Sequence, residues 1–193
     1  NTLVHGVYIG KERRSFEMAV SKSQKMNITK LKHPIKKAVV YLEPEEFRST
    51  WLGNKAVYRT RMAMKTGGEL IVLAPAVNKF GEDKENDRLI RKYGYVGRKK
   101  VLELVKTEED LKNNLSVAAH LIHGSSDGEF SVTYCTKYLP KEEVEGVGFD
   151  YMPYEDAVKL YNPKELKDGF NTVNGEEIYY ISNPALGLWK SEE

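Results

Sequence analysis

Within four residues of one another, Tyr58, Arg59 and Arg61 offer a phenol and two guanidinium groups, in the stretch WLGNKAVYRTRMAMK that begins at Trp51. Guanidinium presents paired donors in one plane and so grips a carboxylate or phosphate with two parallel hydrogen bonds. Read as a helix, the stretch puts Tyr58 and Arg61 on one face with Asn54, and Lys55, Arg59 and Met62 on the next, because residues three and four apart are neighbours. Such a cluster suits a clamp for an acid. The competing reading is a solvated basic face, which periodicity alone favours, since runs of charge usually meet water.

Other candidate groups are sparser. Of the four histidines, His120 and His123 stand three apart on an expected helix, but a metal would need a third ligand. No HExxH or clustered Cys/His spacing supplies one, and no metal site is assigned. His123, just ahead of the turn Gly124-Ser125-Ser126, is instead a candidate for contact with a substrate or another domain. Lys79 lies with Gly81, Glu82 and Asp83 in a polar loop that either holds a ligand or simply turns the chain toward a helix whose amino end its acids favour. No serine has a GxSxG context, no P-loop or GxGxxG is present, and Cys135 sits mid-strand as a small hydrophobe. The residues alone complete no catalytic constellation.

The elements that must position these groups alternate in type. Residues 11–27 place Phe16, Met18, Ala19, Val20 and Met26 at roughly helical spacing, as in an amphipathic surface helix. A short β-branched run over 36–43 predicts a strand, and Asn54 is expected to cap a helix reaching 65, stopped by Gly67 and Gly68. Residues 69–75, ELIVLAP, read as a central strand, with 76–83 crossing its carboxyl end, where ligands gather in such sheets. Helices are expected over 84–93, 98–105 and 115–123, with Thr107 opening a capping box. A strand over 129–135 follows the turn Asp127-Gly128. Short helices should begin at Pro140, Pro153 and Asn162-Pro163, and Asn174-Gly175 turns into a last strand over 177–182. The alternation predicts a single α/β domain over 1–193, with a largely parallel sheet and helices on both faces in three layers.

Composition narrows the function classes. At 40% hydrophobic and 30% charged, the chain is too apolar for disorder and too interrupted by charge for a membrane span. A net charge of +2 argues against wholesale nucleic-acid binding. One cysteine allows no internal disulfide and fits a reducing, cytoplasmic setting. What remains is a domain that binds a small molecule, as part of an enzyme or as a non-catalytic anion-binding or regulatory module.

Four runs carry a more specific signal: GGELIVLAPAVNKFGEDKENDRLIRKYGYVG from Gly67, NNLSVAAHLIHGSSDGEF from Asn113, EEVEGVGFDY from Glu142 and DGFNTVNGEEIYYISNPALGLW from Asp168. Together they resemble the carboxyl-terminal domain of the lactate racemase family, nearer to a branch similar to sugar-acid 2-epimerases. The resemblance implies inversion at a carbon that bears a hydroxyl beside a carboxylate, by hydride transfer to a nickel pincer nucleotide, with two histidines as base and acid. It also places the cofactor and the catalytic histidines in an amino-terminal domain of the same chain, outside this sequence. His5, His33, His120 and His123 therefore inherit no catalytic role, and no cofactor is expected to bind this fragment alone. The family's Tyr-Gln-x-x-Lys pattern resembles Tyr58-Arg59-Thr60-Arg61-Met62, so Tyr58 is kept, Arg59 replaces Gln and Met62 stands in place of Lys. Trp51, Asn54, Tyr58, Arg59, Arg61, Lys79 and His123 form the expected substrate-binding set. The extra donors suit a longer polyhydroxy acid such as a gluconate or mannonate. A family tryptophan is replaced near Leu115, which again implies a different pocket.

Overall fold

The computed structural model describes residues 3–193. In chain order the elements are α1 (Arg13–Asn27), β1 (Ile28–Leu31), β2 (Ile35–Tyr41), α2 (Thr50–Gly53), α3 (Lys55–Thr60), β3 (Met64–Ala74), α4 (Lys84–Tyr93), α5 (Arg98–Thr107), α6 (Glu109–Lys112) and α7 (Leu115–His123). There follow β4 (Phe130–Thr136), α8 (Lys141–Gly146), β5 (Asp150–Pro153), α9 (Tyr154–Leu160), β6 (Gly169–Val173), β7 (Glu176–Ile181), a 3-10 turn (Pro184–Leu186) and β8 (Leu188–Ser191).

Six strands form the central sheet in the order β5-β4-β3-β2-β7-β6, parallel throughout except for the β6–β7 pair. That pair is a hairpin turned by Asn174 and Gly175, both at positive φ, as the twist of a two-residue hairpin requires. β1 and β8 make a separate two-stranded parallel sheet.

Alternation along the strands divides the core into two layers. Ala38, Val40, Leu70, Val72, Val132 and Tyr134 face the helices α3 to α8. Val39, Ile71, Leu73, Cys135, Ile178 and Tyr180 face the other way, against Ala157 of α9 and Tyr161. The expected α/β architecture, mostly parallel with helices on both faces, is the observed one. The chain steps from β2 to β5 with its helices on one face, then crosses back through α9 on the other. That is what right-handed crossovers impose when the winding direction reverses.

The expected helix over 54–65 is corrected. It ends at Thr60, and β3 begins at Met64. Residues 61–63 form a turn held by Ala63 N–H to the Thr60 carbonyl (2.7 Å) and by Ser191 N–H, from the far end of the chain, to the Met62 carbonyl (3.0 Å). Gly67 and Gly68 are therefore no helix stop. They occupy a bulge in β3 where the register with β2 jumps from Ile35–Met64 to Lys37–Glu69, and Gly67 takes φ 77°. A side chain at Gly68 would meet the Lys36 carbonyl at 2.7 Å.

Three smaller expectations also change. Asn54 does not cap; Ser49 does, accepting from Leu52 N–H at 3.3 Å. Thr107 lies inside α5 and its hydroxyl donates back to the Leu104 carbonyl (3.4 Å), so no capping box forms. Residues 163–165 are a turn and not a helix, with Asn162 bonding Lys164 N–H (3.1 Å) and Glu165 (2.7 Å). α1 is a helix as expected, but none of its residues is buried, and Phe16, Met18 and Met26 are exposed.

Candidate functional site

The antiparallel run of α2 and α3 along β3 decides where each candidate side chain goes. At the amino end of α2, Thr50 and Trp51 N–H donate to the carbonyls of Lys79 and Phe80 (3.1 and 2.8 Å), which docks the 76–83 loop on the carboxyl side of the sheet. Ten residues later Arg61 emerges near the amino ends of the strands. Its Nη2 donates to the Ser125 carbonyl, just past α7, and lies 4.0 Å from Asp127 Oδ2. Lys79 and Arg61 thus stand at opposite ends of the sheet.

Between these ends, α2–α3 and α7 form a seam. Trp51 stacks on His120, with ring centroids 4.3 Å apart and planes 24° off parallel. Tyr58, on the separate helix α3, has the Arg59 guanidinium 5.8 Å from its ring centroid, and His123 lies one turn beyond His120 on α7. Beneath the seam is a buried polar network. His120 Nε2 meets Tyr95 Oη at 2.8 Å, Tyr95 Oη meets Thr50 Oγ1 at 2.9 Å, and Thr50 donates to the Phe80 carbonyl at 3.1 Å. Beside it, the Tyr134 hydroxyl donates to Asn54 Oδ1 at 2.6 Å, while Asn54 Nδ2 is sealed from solvent without a hydrogen-bond partner.

Burial sets the protonation of this network. The His120 imidazole is pushed down to about 4, mainly by desolvation with His123 adding repulsion, so it is neutral at ordinary pH. Burial likewise raises both phenols, Tyr134 well above its ordinary value and Tyr95 in spite of its bond to Thr50, so each keeps its hydrogen. Cys135 is buried mid-strand and its thiol is raised to about 12 by desolvation, which makes it inert as a nucleophile.

The expected clamp comes apart at Arg59. Its Nη1 donates to the Gly187 carbonyl (3.3 Å) and its Nε is buried without a partner, so it ties α3 to the C-terminal turn and not to Arg61. Asn54 is fully buried and serves the network below the seam. Lys79 bonds the Glu82 carboxylate (3.4 Å), which Ser49 also reaches. The amides of Phe80 and Gly81 are taken by Asp87 Oδ1 at 2.7 and 3.1 Å, and Asp83 caps α4 through Asn86 N–H (2.8 Å). Of the loop's two acids Asp83 caps the next helix, as the turn reading has it, while Glu82 instead takes Ser49 and Lys79.

The structure brings Trp51 to His120 and Arg61 to the turn after α7, while Tyr58 packs with Arg59 and His123 is exposed at the end of α7. His120, Tyr95, Thr50 and Tyr134 were not among the expected site residues. Their partners lie 25 to 80 positions away, and only the i, i+3 histidine spacing pointed to any of them. Among the described residues, no three His, Cys, Asp or Glu side chains converge as a metal site, and no helix is long and apolar enough to cross a membrane.

Two solved structures match this architecture. A protein from Thermotoga maritima superposes with a TM-score of 0.68 at 24% identity, covering 93% of this chain and 42% of that one. The lactate racemase apoprotein from Thermoanaerobacterium thermosaccharolyticum superposes with a TM-score of 0.61 at 12% identity, covering 92% of this chain and 40% of that one. The chain shares its fold with lactate racemase. It spans about two fifths of the length of each of these proteins. No protein-family model and no curated protein matches it.

Proposed function

We propose that this chain is the substrate-capping domain of a 2-hydroxy-acid racemase or epimerase, acting on a sugar acid at C2. The observation that carries this reading is the fold shared with lactate racemase over 92% of the chain. In this reading Arg61, which now holds the Ser125 carbonyl with Asp127 Oδ2 at 4.0 Å, would turn a further donor to the acid's carboxylate, and Trp51 stacked on His120 supplies an aromatic shelf. A facing domain of a longer protein would then pack over Trp51 and Arg61 and complete the site.

A lactate racemase works with a nickel pincer nucleotide, and the donors here do not fit that group by themselves, since no metal-binding cluster forms among the described residues. In this reading an amino-terminal domain of the same protein holds most of the cofactor, and this chain's residues bind and orient the acid. Closing over it, they would exclude water and strengthen every charge contact inside.

The test is to express the longer gene product with its cofactor-producing enzymes and follow C2 epimerisation of gluconate or mannonate by NMR. Exchange of the C2 configuration is expected. Failure on every 2-hydroxy acid with the cofactor loaded would leave a non-catalytic acid-binding module.

A further inference from the structure

Between the first turns of α5 and the amino ends of β4 and β5 the structure leaves a cavity of about 850 Å³. Small organic ligands occupy cavities of roughly 300–1,000 Å³, mostly apolar with a few polar groups that fix orientation. Tyr95, Phe130 and Phe149 are nearly buried and form the floor, with Phe149 stacked on Tyr95 at 4.5 Å between ring centroids. Val96 and Leu102 stand at the side, 47% and 46% exposed. Water there lies against apolar surface, and an apolar ligand would release it.

The polar groups of the same wall are mostly donors. Arg98 and Lys99 line the cavity, and neither side chain has a carboxylate partner among the described residues. Ser125 is only 4% exposed; its Oγ accepts from Asp127 N–H (3.0 Å), and its own hydrogen has no acceptor among the described residues. A buried donor left unmade is costly, so a ligand that supplies the acceptor gains by it. Two acids also line the cavity. Asp127 is engaged, with Oδ1 on the Arg98 amide (2.6 Å) and Oδ2 4.0 Å from Arg61, which leaves Asp150 alone against the two cations.

We propose that this cavity binds a small organic acid with an apolar body, the body against Tyr95, Phe149 and Leu102 and the carboxylate toward Ser125, Arg98 and Lys99. The proposal does not rest on the racemase reading, since it uses neither Trp51 and His120 nor acid capture by Arg61.

The test is an NMR titration of the 193-residue chain with 2-naphthoate, set against acetate, which has the head alone, and 2-naphthylmethanol, which has the body alone. 2-Naphthoate should saturate one site, move the resonances of Ser125, Leu102 and Phe149, and bind at least about tenfold more tightly than either control. Gluconate, an acid with no apolar body, should shift Arg61 and Trp51 by the reading above and leave Leu102 and Phe149 still. Arg98→Gln combined with Lys99→Gln alters only exposed side chains and should weaken 2-naphthoate about tenfold, with less dependence on salt than in the wild type. Leu102→Trp fills the cavity from a half-exposed position and should abolish binding; if that variant does not fold, the charge variant still decides. Equal binding of 2-naphthoate and 2-naphthylmethanol would overturn the proposal. So would gluconate shifts at Leu102 and Phe149 as large as those of 2-naphthoate, an affinity unchanged in the charge variant, or no saturable shift from 2-naphthoate at its solubility limit.

Discussion

Mild acid should destabilise this protein through His120. Folding lowers the imidazole from about 6.5 to about 4, chiefly by desolvation. Between those values the unfolded chain carries a proton that the folded one refuses, so stability falls as pH falls through the window. Above about pH 6.5 the contribution is fully present, and below about pH 4 it is gone. At about 1.4 kcal/mol per pH unit, the shift is worth up to about 3 kcal/mol, a large fraction of the stability of a typical domain.

The hydrogen-bonded carboxylate of Asp87 enters later. Burial alone would raise Asp87, but its hydrogen bonds from Arg91 and from the Phe80 and Gly81 amides hold it below its ordinary value of 3.8, so its loss belongs to stronger acid. The groups bonded to or stacked on His120 do not compete in the window, because Tyr95 is raised and Trp51 and Thr50 carry no titrating proton, and His123, which also acts on it, is common to wild type and variant. Urea unfolding at a series of pH values measures the slope, and His120→Gln isolates it. The wild-type curve should fall away from the variant between about pH 6.5 and 4. Parallel curves there would refute the buried, neutral imidazole.

Two further substitutions probe the network under the seam. Tyr134→Phe leaves Asn54 Oδ1 buried and unpaired, and should cost about 1–3 kcal/mol in a denaturant titration. Gly124→Ala would set a methyl 2.4 Å from Asn54 Nδ2 and 2.7 Å from the Tyr95 ring, at an ordinary φ of −79°. With no backbone strain to relieve, it should cost about 1–3 kcal/mol by overpacking, and the Trp51 fluorescence should change as the stack on His120 opens.

Where burial alone decides structure, the sequence was readable. ELIVLAP and EFSVTYC are apolar enough to be strands wherever they pair, and their parallel neighbours follow from the helices between them. β1, β6 and β8 were not readable, since four or five half-exposed residues carry no periodic signal and owe their conformation to partners. The same holds for the end of α3. Local propensity runs on to Lys65, but Ser191 N–H takes the Met62 carbonyl, and a contact across so much chain leaves no mark near residue 62. Among the expected site residues, the grouping of Arg59 with Arg61 failed on angle, since one reaches Gly187 and the other Ser125. Residues two apart on a helix point about 200° away from each other.

That divergence gives the two arginines separable roles. Arg59 holds the C-terminal turn through Gly187 with a guanidinium Nε that is buried and unpaired, so its removal discards both a bond and an unsatisfied donor. These effects oppose, and Arg59→Ala should change global stability by less than about 1 kcal/mol while β8 exchanges its amide hydrogens faster. Arg61 is about a quarter exposed, with Nη2 on Ser125 and Asp127 at 4.0 Å, and its other donors are available to a ligand. Arg61→Ala should speed exchange in the loop 125–128, leave β8 unchanged and abolish gluconate shifts in the seam. If Arg59→Ala abolished those shifts and Arg61→Ala did not, the acid would sit on the Gly187 side of α3, and the seam would be only a helix contact.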